Sequence, residues 1–174
     1  MAPPPPSTTP QVITLVLKVF IFALLLASLI VLVTDTTTVP LDVIFELKVH
    51  FDDVYAYRYV LASIIIGLVY SLLQTAFSLY HLATGNRLIS GDGGFVFDFY
   101  GDKVLSYVMA TGCAAGFGAT KDLKALADAR KLDFDDYFNK AYASASLLLL
   151  AFLCAAVLSV FSSYALPKMV NESG

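Results

Sequence analysis

Two charged residues interrupt apolar segments of this sequence, and both could take part in ionic chemistry. Lys18 follows the run VITLVL, and Asp102 opens the segment DKVLSYVMATGCAAGFG. An ionised carboxylate at the centre of a membrane span costs about 2.5–3.5 kcal/mol on insertion scales, although the cost falls toward the ends. A charge in such a place is therefore expected to have a partner, and Lys18 is the candidate partner of Asp102.

Residue types that usually carry catalysis or bind metals do not form a recognisable set. His50 and His81 lie at opposite ends of the second apolar segment, and neither has a nucleophile–base pair or a metal-ligand spacing around it. The carboxylates of DFDD in the third loop lack the Gly and the closing Glu of a calcium loop. We interpret them as part of a solvated helical extension, and the sequence predicts no enzyme, no cofactor and no metal site.

Composition indicates that lipid surrounds most of the chain. Of the 174 residues, 58% are hydrophobic and 14% are charged, and the mean hydropathy is +0.75. A membrane-spanning helix needs roughly 20 mainly apolar residues. The predicted class is an all-α membrane protein, and the net charge of −3 does not favour nucleic-acid binding.

Four apolar segments qualify or nearly qualify as spans, so the sequence predicts a bundle of four transmembrane helices. The predicted spans cover residues 12–33, 57–82, 101–120 and 141–166. Together they form one membrane domain over residues 12–166, with a Pro-rich disordered tail at 1–11 and a short tail at 167–174.

The loops differ in their predicted structure. LDVIFELKVHF in the first loop alternates apolar and polar residues, which is typical of a short strand or an interfacial segment. The second loop is predicted to form turns because it contains Gly85, Gly91, Gly93 and Gly94. The third loop begins with good helix formers, so the third helix is predicted to continue beyond the membrane surface.

An antiparallel bundle brings Lys18 and Asp102 to the same side of the membrane, because the first and third helices run in the same direction. Lys18 lies six residues into the first span, roughly 9 Å along its axis. An ion pair between the two is therefore geometrically available. In the alternative, Lys18 extends to the lipid headgroups and Asp102 only favours the N-terminus of its helix.

Small residues four apart are predicted to form smooth helix faces, since close backbone approach drives helix association in lipid. One use is packing within the bundle, and the other is contact between two chains. The predicted faces consist of Gly112 and Gly116, with Gly118 in a second row of the same helix, and of Ser63, Gly67 and Ser71 in the second span.

Three segments resemble a known family, the plant Casparian strip membrane domain or CASP-like proteins, which are distantly related to four-span MARVEL proteins. They are FDDVYAYRYVLASIIIGLVYSLLQ, DFYGDKVLSYVMATGCAAGFG and YFNKAYASASLLLLAF. The family has a basic residue in its first span, usually Arg, and an Asp in its third, which match Lys18 and Asp102. The first loop lacks the ESLPFFTQFF-like signature of the strip-forming members, so the resemblance implies a CASP-like relative.

The resemblance implies a non-enzymatic scaffold of the plant plasma membrane that forms homo- and hetero-oligomers, including homodimers and heterodimers. Such a scaffold has the lipid bilayer, itself and related CASP-like proteins as partners, and organises membrane-domain or wall-modifying partners. The alternative is a small four-span channel or solute transporter in which Gln74 lines a path with Lys18 and Asp102.

Two arguments disagree on topology. The family resemblance implies that both termini face the cytoplasm. The third loop, however, carries most of the Lys and Arg residues near the spans, and the positive-inside rule would place that loop in the cytoplasm. That loop also carries five Asp residues, and we follow the family resemblance.

Overall fold

Four α-helices account for most of the described residues. The computed structural model describes residues 9–42, 45–84, 92–129 and 135–170. Helix α1 covers Thr9–Val33, α2 covers Tyr55–Thr84, α3 covers Asp92–Ala129 and α4 covers Asp135–Val170. They contain 25, 30, 38 and 36 residues, so at 1.5 Å per residue each exceeds the roughly 30 Å of a bilayer core.

Three of these helices are apolar enough to cross a membrane by length and composition. The candidate spans are Val12–Val33, Tyr55–Thr84 and Asp135–Phe161. The protein is therefore a helical membrane protein with several apolar helices, as predicted. Helix α3 is less apolar, because glycines and polar residues interrupt its sequence, so the predicted fourth crossing stays a prediction.

The helices form a ring in which each packs against its two neighbours, in the order α1, α2, α3, α4. One core residue from each helix is completely buried: Leu25, Ile64, Met109 and Leu148. Large apolar side chains also cover the outside of the bundle, among them Phe20, Ile66, Leu72 and Leu153. Apolar residues on both the inside and the outside are typical of a bundle that lipid surrounds.

The first loop forms a β-hairpin, which adds strands to the predicted all-α class. Strand β1 covers Thr36–Asp42 and pairs antiparallel with β2, Phe45–His50, in a register that places Val39 opposite Leu47. Threonine and valine in TTTVP favour extended backbone because their side chains are β-branched. The strand interpretation of LDVIFELKVHF is therefore confirmed for the part that forms β2.

Two helices begin with residues that were predicted to lie outside helices. Helix α1 already includes Thr9 and Pro10, which belong to the predicted tail, since proline is tolerated in the first turn of a helix. Gly93 and Gly94 lie in the first turn of α3, so the predicted turn is wrong there; Asp and Gly are both accepted at helix N-termini. Residues 1–8, Gly85 and Gly91 lie outside the described residues.

The third helix continues to Ala129, as predicted for a helical extension. An ion pair joins the end of α3 to the start of α4: Lys124 Nζ lies 2.9 Å from Asp135 Oδ1. The Lys124 side chain is partly exposed and that of Asp135 largely exposed, so the pair contributes little to stability. The hydrogen bond to Asp135 raises the pKa of Lys124. Asp133 lies outside the described residues.

Candidate functional site

A buried polar network lies at the end of the bundle where α1 begins and α2 ends. Lys18 is only 7% exposed. Its ammonium group donates to Gln74 Oε1 at 2.7 Å and to Ser78 Oγ at 3.0 Å. The Ser78 hydroxyl donates its own proton to the backbone carbonyl of Gln74 at 2.8 Å. The Ser78 oxygen can therefore accept a hydrogen bond from Lys18. The ammonium group is thus bonded inside the bundle.

The network continues from Gln74 to Asp102 on α3. Gln74 Nε2 donates to the hydroxyl of Tyr70 at 2.8 Å, and that hydroxyl donates to Asp102 Oδ1 at 2.9 Å. Every donor in the chain from Lys18 to Asp102 therefore points toward the carboxylate. Hydrogen bonds aligned in this way polarise one another, and the ones that involve charged groups are the stronger ones. A cation at one end and an anion at the other suit this alignment.

Gly101 makes room for the Tyr70 phenol. A Cβ atom on residue 101 would lie 2.7 Å from Tyr70 Cε2 and 2.9 Å from Cζ, closer than real Cβ contacts allow. Any larger residue there would push the phenol away from the Asp102 carboxylate. Gly101 supports the network because its lack of a side chain permits the hydrogen bond between Tyr70 and Asp102.

The structure brings together the two charges singled out in the sequence. Asp102 is 2% exposed, and Tyr70 and Gln74 connect it to Lys18. The direct ion pair stays a prediction. Sequence reasoning noted Gln74 but missed Tyr70, Ser78 and Gly101. The available signal was spacing, because residues 70, 74 and 78 are four apart and so share one face of α2.

Other polar side chains join the helices nearer the opposite end. Ser28 Oγ donates to the Ser144 carbonyl at 2.9 Å, and Ser144 Oγ donates to the Ser28 carbonyl at 3.0 Å. The two hydroxyls thereby join α1 to α4 reciprocally, and both residues are fully buried. Tyr57 and Thr120 join α2 to α3 with a hydroxyl–hydroxyl distance of 2.9 Å.

Most of the predicted small-residue positions face other helices of the same chain. A Cβ on Gly112 would lie 2.8 Å from Ser63, and one on Gly116 would lie 3.3 Å from Ala145 and from Val60. A Cβ on Gly67 would lie 3.0 Å from Leu25. Ser71, in the same row as Gly67, is also buried.

Gly118 differs from the other glycines of α3. A Cβ placed there would have nothing within 4 Å. The glycine is exposed, as are Ala114 and Thr111 on the same side of the helix. A side chain at residue 118 would therefore project away from the described bundle.

A second buried polar group lies at the end of the bundle that carries the hairpin. Asp35 follows α1 and is completely buried. Burial raises the pKa of its carboxyl group to about 7, and the positive charge of Lys140 opposes the rise. A buried carboxyl group without enough compensating positive charge shows this behaviour.

Comparisons with known proteins identify the family. A family model for the Casparian strip membrane protein domain matches residues 7–154. The chain belongs to the Casparian strip membrane protein family. The resemblance seen in the sequence is therefore confirmed, and the CASP match includes both Lys18 and Asp102.

Relatives in several plants resemble this CASP family member over nearly their full length. It is 60% identical over 170 residues to CASP-like protein 4D1 of Ricinus communis, covering 98% of this chain and 100% of the relative. CASP-like protein 4D1 of Populus trichocarpa is 56% identical over 157 residues, 90% of this chain and 87% of the relative. CASP-like protein 4D2 of Arabidopsis thaliana is 49% identical over 176 residues, which cover 97% of this chain and 99% of the relative. No solved structure matches the chain.

Proposed function

We propose that this protein is a non-enzymatic scaffold of the plasma membrane that associates with copies of itself and with related CASP-like proteins. Membership of the family supports the proposal. One structural observation adds a surface to it: the outward face of α3 differs in composition from the other outward faces of the bundle.

The outward face of α3 combines two larger side chains, Val104 and Tyr107, with three small residues at the spacing of a helix interface. Val104, Tyr107, Thr111, Ala114 and Gly118 are all exposed, and they follow one another at intervals of three and four residues. Intervals of this kind place residues on one side of a helix that crosses its partner at a small angle. We call these five residues the α3 outer face.

Many lipid-facing positions elsewhere in the bundle have larger apolar side chains, although Ala62 and Ala76 of α2 are also exposed. The exposed residues of α1 include Val16, Phe20 and Ile30, and those of α4 include Leu150 and Leu153. Large apolar groups fill the space next to lipid chains, whereas small groups let another backbone approach closely. A second copy of the chain that packs against the α3 outer face would explain this difference in side-chain size.

Four crossings with both termini in the cytoplasm complete the proposal. The end of α1, the hairpin and the connection from α3 to α4 then lie together on the outside, where a scaffold meets wall-modifying partners. A glycosylation reporter fused after Gly174 tests the orientation: we expect no glycosylation, and a glycosylated reporter would reverse the topology.

The channel alternative has less support from the packing. Leu25, Ile64, Met109 and Leu148 fill the centre of the bundle and are completely buried. These apolar side chains lie between the Lys18 network and the polar groups near the hairpin, and such packing does not favour a polar path. Solute flux into proteoliposomes that contain only this protein would contradict the scaffold proposal.

Self-association is tested by introducing larger side chains on the α3 outer face. We expect Ala114→Leu with Gly118→Leu to abolish or strongly reduce the crosslinked oligomer while the chain still reaches the membrane. The matched control is Ala62→Leu with Ala76→Leu, since these alanines are exposed on α2. Equal crosslinking in both variants would contradict the assignment of this face.

A further inference from the structure

Asp35 presents a buried carboxylate that the fold leaves without a donor. The residue follows the last turn of α1, where its backbone N–H donates to the Leu32 carbonyl at 3.1 Å. Its side chain is 0% exposed, and neither carboxylate oxygen has a hydrogen-bond partner among the described residues. Buried polar groups in native proteins almost always have partners, so this carboxylate requires an explanation.

Tyr137 on α4 presents a second oxygen of the same kind. The residue is 5% exposed, and its hydroxyl group likewise has no partner among the residues that the structure describes. The charge of Asp35 acts electrostatically on this phenol and on that of Tyr57. The two aromatic rings meet edge to face, with centroids 6.2 Å apart.

The hydroxyl of Tyr57 adds a third oxygen with unused lone pairs. Thr120 donates its only hydroxyl proton to the Gly116 carbonyl at 2.7 Å. In the contact between Tyr57 and Thr120, 2.9 Å long, Tyr57 is therefore the donor. The proton of Tyr57 is used, while its oxygen can still accept a hydrogen bond or bind a cation.

The electrostatic surroundings favour a positive charge at this place. Asp35 lies at the C-terminus of α1, the negative end of the helix dipole. Asp52 and Asp53 add negative charge that acts on Tyr137. Among the described residues, the positive charge that acts on Asp35 comes from Lys140, which is exposed. A buried water molecule would satisfy hydrogen bonds here, whereas a cation would also balance the charge.

We propose that the Asp35 carboxylate, together with the hydroxyl oxygens of Tyr137 and Tyr57, binds a monovalent alkali cation, Na⁺ or K⁺, at the hairpin end of the bundle. One carboxylate balances one positive charge, and carboxylate, hydroxyl and carbonyl oxygens are the hard ligands that such ions prefer.

A divalent ion fits the same place less well. Calcium takes six to eight oxygen ligands, commonly including several carboxylates. The described part of the chain contains no group of three His, Cys, Asp or Glu residues that could hold a metal ion. The charge and the number of carboxylates therefore favour an ion with a single charge.

The direct test is the thermal stability of the purified full-length chain in nanodiscs. Unfolding is measured at pH 8 in choline chloride, in NaCl and in KCl at equal ionic strength. We expect a saturable rise in Tm of about 3–6 °C when Na⁺ or K⁺ exceeds its Kd about tenfold, since a ligand that binds only the native state stabilises it. The same Tm in all three salts would overturn the proposal.

Two variants locate the effect. Asp35→Asn keeps the shape and removes the charge, so it should fold and lose the cation-dependent rise. Asp122→Asn, an exposed carboxylate on α3 that does not belong to the proposed site, should retain the rise. A rise that persists in Asp35→Asn overturns the assignment. If that variant does not fold, Tyr137→Phe decides the question: it should need a higher cation concentration for half the rise, and an unchanged concentration overturns the proposal.

Discussion

Tyr70 donates a hydrogen bond to Asp102 across the contact between α2 and α3, with a distance of 2.9 Å between the hydroxyl and Oδ1. The same hydroxyl accepts from Gln74, which in turn accepts from Lys18. The phenol therefore connects the buried anion of one helix to the buried cation of another. Gly101 provides the space that this connection needs.

Removing the Tyr70 hydroxyl should destabilise the bundle. We expect Tyr70→Phe to lower the free energy of unfolding by about 1–3 kcal/mol, because the Asp102 carboxylate loses a donor in a poorly solvated place. Denaturation in detergent micelles measures this difference. Tyr80→Phe is the control on the same helix, since Tyr80 is 44% exposed. Equal effects of the two variants would show that the Tyr70 hydroxyl contributes nothing specific.

Exchanging the two buried charges tests whether Lys18 and Asp102 act as a pair. Lys18→Ala or Asp102→Asn should each cost about 3 kcal/mol or more, since a buried charge loses its counterpart. The double exchange, Lys18→Asp with Asp102→Lys, should recover part of that loss if the charges interact. Surface delivery and Tm are the measurements.

The matched control for these charge variants is Asp122→Asn, an exposed carboxylate on α3. Single variants that behave like this control would mean that the two charges do not depend on each other. Lys18 and Asp102 would then be tolerated separately, as in the alternative in which Lys18 reaches the headgroups.

Large side chains at Gly112 and Gly116 should weaken packing within one chain. Gly112→Leu with Gly116→Leu places bulk against Ser63 and Ala145, so the helices must separate and lose van der Waals contact. We expect a lower Tm and less monomer at the membrane. A variant that keeps the Tm of the unchanged protein and loses only the oligomer would instead assign these glycines to contact between chains.

The apolar runs of the sequence were enough to predict the helices and to single out the two charges within them. Apolar runs of roughly 20 residues leave few alternatives to spanning helices, and charges such as Lys18 and Asp102 stand out against them. A short strand was only one of two predicted outcomes for LDVIFELKVHF, because short alternating runs also occur in interfacial segments, and the pairing into a hairpin was not predicted. Pro10, Gly93 and Gly94 show why boundaries were less predictable: the first turn of a helix accepts residues that its interior disfavours.

The partners of the polar groups could not be read from the sequence. The bond between Tyr70 and Asp102 depends on the rotation of α2 about its axis and on the space left by Gly101, and both emerge only when the helices pack. Asp35 illustrates the same point. Its position after an apolar run is typical of a solvated loop residue, whereas the structure buries it completely.

Disulfide crosslinking at the α3 outer face tests the central proposal most directly. A chain with Cys113→Ala and Cys154→Ala removes both native cysteines, and a single cysteine is then introduced at Ala114 or, as the lipid-facing control, at Ala62. After mild oxidation of intact membranes, the scaffold proposal predicts a covalent dimer for Ala114→Cys and little or none for Ala62→Cys. Equal crosslinking at both positions, or none at Ala114→Cys in a chain that reaches the membrane, would contradict self-association through this face.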